Sequence, residues 1–566
     1  MKLIRKRWLR VSLTLAVSAS ARPVTGQERN VYWGDTHVHT SYSNDAYGFG
    51  NVTVDPETAY RFAKGLPVVH PGLGNRVRLD RPLDFLVVAD HSPVGRGAPI
   101  EGARNTPEFR EAAWSLYVDA AERNNDPGTF TAIIGWEWTF MPGGQMLHRV
   151  VFTPTDAETA KRFLPLSSRG ASGPEDLWSW LEETSDRLGI DFVAIPHNSN
   201  LSNGLMFDMV DSEGRPISAE YARTRMRWEP VVEALQMKGN SETHPFLSPE
   251  DEFANFELHQ FLVRGGIAVP NPADYVRTAL LRGLRIEEGV GVNPYKLGLQ
   301  GATDTHNGLS DGNEGMFAGR MVTHSGPAGG LEVAPGIGGG DPRGVGWDSA
   351  AQGITGAWST ANTREALTAA FKRKEVYATS GPRIQLRVFG GFEFDPQDAE
   401  SRDIAAVGYG GGVPMGGDLA QAPNDTPVSL LIHAVKDPTG ANLDRVQVIK
   451  GWLDDGGETH ERVYDVAWAG RRTATNGKVP AIGSTVDVAR ATHDNSIGSA
   501  ELSTVWVDPD FDADERAFYY VRVLEIPTPR YSTYDAVALG LDPEQATDRP
   551  TAIQERAFSS PIWYTP

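Results

Sequence analysis

The sequence predicts a parallel α/β domain followed by an antiparallel, β-rich one. From Val31 to about Gly301, short apolar runs alternate with helical stretches. Beyond Pro382 the texture changes to period-two apolar runs separated by turn signals. At 566 residues the chain is also too long for one ordinary core. Hydrophobic residues at 40% and charged residues at 22% sit near globular averages, so the chain is expected to fold throughout.

The first segment is set apart. Lys2, Arg5, Lys6, Arg7 and Arg10 precede the apolar stretch Val11 to Val17 and a small-residue run, Ser18 to Ala21. Basic, apolar and small segments in that order form a secretory signal pattern over 1–27, with Ala19-Ser20-Ala21 as the cleavage signal. The apolar part is too short for a permanent membrane anchor, and no other stretch approaches 18 apolar residues. A periplasmic or secreted protein without a stable membrane anchor is the expectation.

Residues 28–383 carry the α/β pattern. Phe85 to Ala89, Phe130 to Ile134, Phe192 to Ile195 and Val231 to Leu235 read as buried parallel strands, because such strands are covered on both faces. Helices are expected at Pro107 to Asn124 and Glu175 to Leu188. Regular alternation favours a barrel, with a doubly wound sheet as the alternative. The Gly- and Pro-rich segment 325–356 reads as a surface loop or lid. A helix follows it: Asn362 is its expected cap, Glu365 stands three residues on, and Leu367, Ala370 and Phe371 share a face.

Residues 384–566 read as an accessory antiparallel sandwich. Ile384, Leu386 and Val388 alternate onto one face, and Phe518 to Ile526 forms another strand. Asp437-Pro-Thr-Gly440 and Asp454-Asp-Gly-Gly457 supply turns.

Composition removes several chemistries. The chain has no cysteine, so disulfides, thiolate metal ligands and a cysteine nucleophile are excluded. A formal charge of −20 disfavours nucleic acid as a partner but leaves room for a small phosphorylated substrate, since a cation cluster reverses the potential inside one pocket. Neither a P-loop nor a dinucleotide fingerprint is present.

The strongest local motif is Asp35-Thr-His-Val-His39, directly after the apolar run Val31 to Trp33. Residues two apart in an extended segment point the same way, so His37 and His39 can face one cation, with Asp35 as an acceptor orienting one ring. The same grammar recurs, an apolar strand and then a metal-capable group: Asp90 and His91, Glu137, His197, then Asp304 and His306. In parallel α/β folds the carboxyl ends of strands are where sites form, so these residues are expected to share one crevice.

These motifs resemble those of the PHP (polymerase and histidinol phosphatase) superfamily of metal-dependent hydrolases. The similarity is closest to its secreted branch, long catalogued as a domain of unknown function. The matching motifs are HxH at His37 and His39, the DH pair at Asp90 and His91, Glu137, His148 eleven residues later, His197, and DxH at Asp304 and His306, over about residues 30 to 310, with a weaker echo through Tyr377 to Arg383. The resemblance implies a distorted (β/α)7 barrel. It also implies one metal on His37, His39, Glu137 and Asp304, and a second on Glu137, His148 and His197. A third would use His91 and His306, with Asp45 where the family has a histidine. Zinc, manganese or iron suits such a set.

Lys238 and Glu242 follow the run Val231 to Leu235, and Arg383 offers a fork for a phosphoryl group; these are the expected substrate contacts beside Glu137, Asp304 and His306. His244 is read as a non-ligand. Asp508, Asp510, Asp512 and Asp514 are read as a solvated hairpin tip rather than a calcium loop. The leading expectation is hydrolysis of small organophosphate esters by a metal-bound hydroxide. An amidohydrolase-like reaction on an amide, lactone or carboxylic ester, or a non-catalytic binding protein on a degenerate barrel, are the alternatives. Oligomeric state and physiological substrate are not legible in the sequence.

Overall fold

The computed structural model describes residues 29–566 apart from 105, 260, 263–265, 318, 320, 333–344, 352 and 476. The expected signal segment 1–27 lies outside the described residues, as does the centre of the Gly-rich loop.

The first part of the chain supplies strands β1 (Asn30–Val38), β2 (Phe85–Val88), β3 (Thr131–Trp138), β4 (Arg149–Thr153), β5 (Val193–Pro196), β6 (Val231–Gln236), β7 (Gly298–Gly301), β8 (Ile354–Ser359) and β9 (Val376–Thr379). The second part supplies β10 (Gln385–Gly391), β11 (Gly412–Pro414), β12 (Asp418–Ala420), β13 (Ser429–Val435), β14 (Leu443–Leu453), β15 (Thr459–Trp468), β16 (Glu501–Val507), β17 (Arg516–Glu525), β18 (Arg556–Ser559) and β19 (Ile562–Thr565). Helices used below are α1 (Asn44–Gly48), α2 (Pro107–Asn124), α3 (Pro174–Leu188), α4 (Val276–Val290) and α5 (Arg364–Lys372).

The result is a mixed α/β protein built on one large sheet, in the order β12-β19-β17-β18-β9-β8-β1-β2-β3-β4-β5, with β14 and β15 attached beside β17. Strands β1, β2 and β3 are parallel, and every residue of β2 and β3 is buried, which is why they read as unbroken apolar runs. Gly34 allows β1 to pass Phe85, whose ring would stand 2.4 Å from any Cβ there.

Strictly repeating β/α order fails at β4, which runs antiparallel to both β3 and β5. Strands β6 and β7 form a separate parallel pair. Hydrogen bonds from Asp304 to His37 and from His39 to Thr305, 2.8 and 2.9 Å, tie the chain after β7 to the end of β1. Through these links β1, β2, β3, β5, β6 and β7 share one edge where candidate ligands gather.

The two helices expected at Pro107 to Asn124 and Glu175 to Leu188 form as α2 and α3. Thr106 caps α2 by accepting from the Phe109 N–H, with Pro107 in the first turn, and α3 ends on Gly189 in the left-handed region. The expected cap of α5 is corrected: Thr363 accepts from the Ala366 N–H, while the Asn362 amide is drawn off to the carbonyls of Asp84 and Thr129. The neighbouring residue outcompetes it because Asn362 is needed to join three loops.

The second part is mostly antiparallel, except that β12 pairs parallel with β19. A four-stranded sheet, β11-β10-β13-β16, lays Leu386, Val388, Leu430 and Ile432 against Val446, Val448, Val521 and Ile562 of the large sheet. Strand β18 pairs with β9, so a single sheet runs across position 383. The described end of the Gly-rich loop is anchored: Trp347 is buried and donates to Asp535. Among the described residues no helix is long and apolar enough to cross a membrane.

Candidate metal centre

The shared strand edge assembles a cluster of imidazoles and carboxylates. His37 and His39 project from the end of β1, His91 follows β2, Glu137 lies near the end of β3, His197 follows β5, and Asp304 and His306 follow β7. His148 precedes β4. Because β4 is antiparallel to β3, a residue before β4 stands at the same edge as residues ending β3, which explains a position that strand-end reasoning alone did not favour.

Glu137 is the hub. Its Oε2 lies 3.3 Å from His37 Nε2 and 3.2 Å from His39 Nε2, while its Oε1 lies 2.5 Å from His148 Nδ1 and 3.3 Å from His197 Nε2. Asp304 Oδ1 is 3.3 Å from His39 Nε2 and 3.6 Å from His37 Nε2. Asp45, at the start of α1, places Oδ2 2.8 Å from both His91 Nε2 and His306 Nε2. Four groups have ligand atoms close enough to hold an ion: His37, His39 and Glu137; Glu137, His148 and His197; His39, Asp45, His91 and His306; and His37, His197 and Glu233.

The donor set fits divalent cations. His148 Nε2 and His197 Nε2 are buried and make no hydrogen bond among the described residues, and His37 Nε2 faces His39 Nε2 at 3.1 Å. Imidazole nitrogens left so close, and without protein donors, are satisfied by a shared cation. The all-nitrogen and oxygen set suits zinc, manganese or iron.

Electrostatics agree. Burial pushes His148 down to about 4 and, with the charge of neighbouring His37, lowers His197, which favours the neutral form in which imidazole can ligate a cation. Burial would raise Glu137, but the surrounding His91, His148 and His197 hold it well below the usual carboxylate range. His37 departs from its neighbours: burial would lower it, yet Glu233 and Glu137 raise it to about 9, a sign of surplus negative charge that a cation would balance.

Other expected residues are placed as follows. Asp35 does not touch an imidazole; its carboxylate accepts from the His37 N–H and from Thr303 and Ser310, tying β1 to the β7 loop. Ring orientation falls instead to Glu233 in β6, whose Oε2 is 3.0 Å from His37 Nδ1. A lone carboxylate inside the apolar run Val231 to Leu235 was its sequence signal. Asp90 binds Thr40 by two hydrogen bonds, fixing the loop after HxH. Lys238 reaches the site, with Nζ on Asp304 Oδ2. Asp304 itself is held at a φ of +54°, a left-handed backbone rare outside glycine and found where a site imposes it.

Two expected substrate contacts are corrected. Arg383 donates to the carbonyls of Arg81 and Pro82, because its main chain is pinned by Asp437, and it does not line the ligand cavity. Glu242 is buried with Arg277 and Tyr520 beneath the strand edge. His244 Nδ1 accepts from the Phe246 N–H, and His244 is in none of the four groups. Of the run read as a solvated hairpin tip, Asp508 is instead buried and pairs with Lys450, while Asp510, Asp512 and Asp514 are exposed and Asp510 pairs with Arg462.

A cavity of about 500 Å³ opens over the cluster, lined by Asp45, His91, Glu137, His148, Asp304 and His306 on its floor side and by Phe49, Met141, Met146, Arg169, Asn198 and Lys238 around them.

No curated protein matches the sequence. A solved two-domain protein from Bacteroides vulgatus, described as containing a predicted PHP-like metal-dependent phosphoesterase, is similar over 85% of this chain and 95% of its own, with 10% identity and a TM-score of 0.30. The family model described as a protein of unknown function, DUF3604, matches residues 26–99 and 95–566. The chain belongs to that family.

Proposed function

We propose that this protein is an exported, metal-dependent phosphoesterase built on a distorted PHP-type barrel, acting on small organophosphates. One observation carries the reading: the two oxygens of Glu137 face different histidines, Oε2 toward His37, His39 and His91 and Oε1 toward His148 and His197, as a carboxylate bridging two cations does. In this reading His37, His39, Glu137 and Asp304 hold one ion, Glu137, His148 and His197 a second, and Asp45, His91 and His306 a third.

Cations held there would acidify water and neutralise charge on phosphoryl oxygens. The protein's own groups do the rest. Lys238, 5% exposed and paired with Asp304, fixes that carboxylate and adds positive charge at the cavity wall. His306 keeps Nδ1 on the Asp304 carbonyl, 2.8 Å away, so its Nε2 is aimed at Asp45. Glu137 in the bridging position, with Lys238 paired to Asp304, supports phosphoester chemistry over an amidohydrolase arrangement bridged by a modified lysine. The basic, apolar and small order of residues 1–27 supports export.

The experiment is a release assay on protein loaded with manganese, zinc or iron, offered phosphomonoesters, phosphodiesters, lactones and amides. Phosphate release dependent on metal supports the proposal. Turnover of lactones or amides without phosphoester cleavage overturns it.

A further inference from the structure

The cavity holds two polar donors that the cluster does not use. Asn198 is 1% exposed, sits at a left-handed φ of +55°, and its amide oxygen is engaged by Gln236, which leaves Nδ2 buried without a partner. Arg169 is exposed on the 161–173 loop, lines the same cavity, and its guanidinium has no ion pair or hydrogen bond among the described residues. A buried amide donor left unsatisfied is costly, so its retention points to an acceptor that arrives with a ligand. A guanidinium with no carboxylate beside it is the natural second grip for an oxyanion.

Asn44, Ser92, Thr139, Ser167 and Ser168 also line the cavity, but the apolar side chains form a patch of their own. Met141 and Met146 pack with Leu201, Leu262 and Ala268, and the Phe49 ring stands 6.0 Å from that of His306. These side chains face the cavity without hydrogen-bonding groups for sugar or polyol hydroxyls. Thioether and aromatic surfaces of this sort accept flat or branched hydrocarbon.

We infer that the cavity is a binding site for an organophosphate whose carbon part is apolar, with Asn198 and Arg169 gripping oxygens of the anion while Met141, Met146 and Phe49 enclose the hydrocarbon. This rests on the phosphoesterase reading for its reaction but makes a claim about binding alone.

The test measures calorimetric affinity of the metal-loaded protein for phenylphosphonate and methylphosphonate, neither of which can be hydrolysed as an ester. Wild type is expected to bind phenylphosphonate about tenfold tighter, the order that burial of one ring side gives. Met141→Ala and Phe49→Ala, both at partly exposed positions, should shrink that ratio to about threefold or less. Arg169→Ala should weaken both ligands by a similar factor and leave the ratio intact. Equal affinities in wild type, no binding of either, or a ratio unmoved in the Met141 and Phe49 variants overturns the inference. Phenylphosphonate preference without any ester turnover would uphold it while sinking the phosphoesterase reading, and ester turnover without preference would do the reverse.

Discussion

Glu233 Oε2 lies 3.0 Å from His37 Nδ1, and both side chains are fully buried. The carboxylate fixes the ring so that Nε2 points at Glu137 and His39. Partners of this kind orient a ligand and raise its basicity, and removing them costs about 10- to 100-fold in metal affinity. Glu233→Gln is therefore expected to weaken metal binding by that order while the protein stays folded, measured by competition with a chelator. Unchanged affinity would show that the contact only packs the core.

Asp45 joins His91 and His306 through one oxygen. Asp45→Ala is expected to lose metal from this group while Glu137, His148 and His197 keep theirs, so metal content should fall without reaching zero. Elemental analysis of the purified variant reads this directly. Asp45→His should restore content, since imidazole serves the same cations.

Lys238 and Arg383 separate the cavity from its surroundings. Lys238→Ala removes the lysine paired with Asp304 Oδ2 and should lower kcat/KM about 100-fold, the size typical for loss of one electrostatic donor. Arg383→Ala should leave kcat/KM within about twofold, because that guanidinium serves the Arg81 and Pro82 carbonyls. Steady-state assays of both variants at matched metal content decide it.

Much of the site was legible because strand polarity converts order into place. His37, His39, His91, Glu137, His197, Asp304 and His306 each follow or end an apolar run, and parallel strands bring such ends together. His148 escaped that rule since it begins an antiparallel strand, a reversal that no local pattern announces. Glu233 was hidden inside a strand, where a carboxylate reads as an interruption until its partner is seen. Arg383 misled for the opposite reason: its charge and position after a strand suggested a substrate contact, but distant loop carbonyls and Asp437 claimed it. The fold shows the same division. Helix periodicity is local and was recovered, although the expected cap Asn362 gave way to Thr363, whereas the joining of β18 to β9 depends on residues far apart in sequence.

A buried ionic network under the site sets the acid stability. Asp251 bridges Arg277 of α4 and Arg522 of β17. Burial would raise its pKa, but Arg522 and Arg277 hold it far below the usual carboxylate range. A carboxylate depressed in the folded state adds stability above its unfolded pKa, about 4, and loses it as pH falls toward the folded value. The unfolding midpoint should therefore drop steeply below about pH 4. Asp251→Asn should lose about 1–3 kcal/mol at neutral pH and show a shallower acid limb, since Arg277 keeps Glu242 and Glu461 while Arg522 keeps only Glu242, at 3.9 Å. Thermal melts across that range check both.

Metal content and phosphate release, measured on the same preparations of wild type and Glu137→Ala, test the bridging carboxylate most directly. The predicted result is at least two divalent ions per wild-type chain with metal-dependent turnover, and loss of both in the variant while its fold, read by circular dichroism, persists. Full metal content and turnover in Glu137→Ala would contradict it.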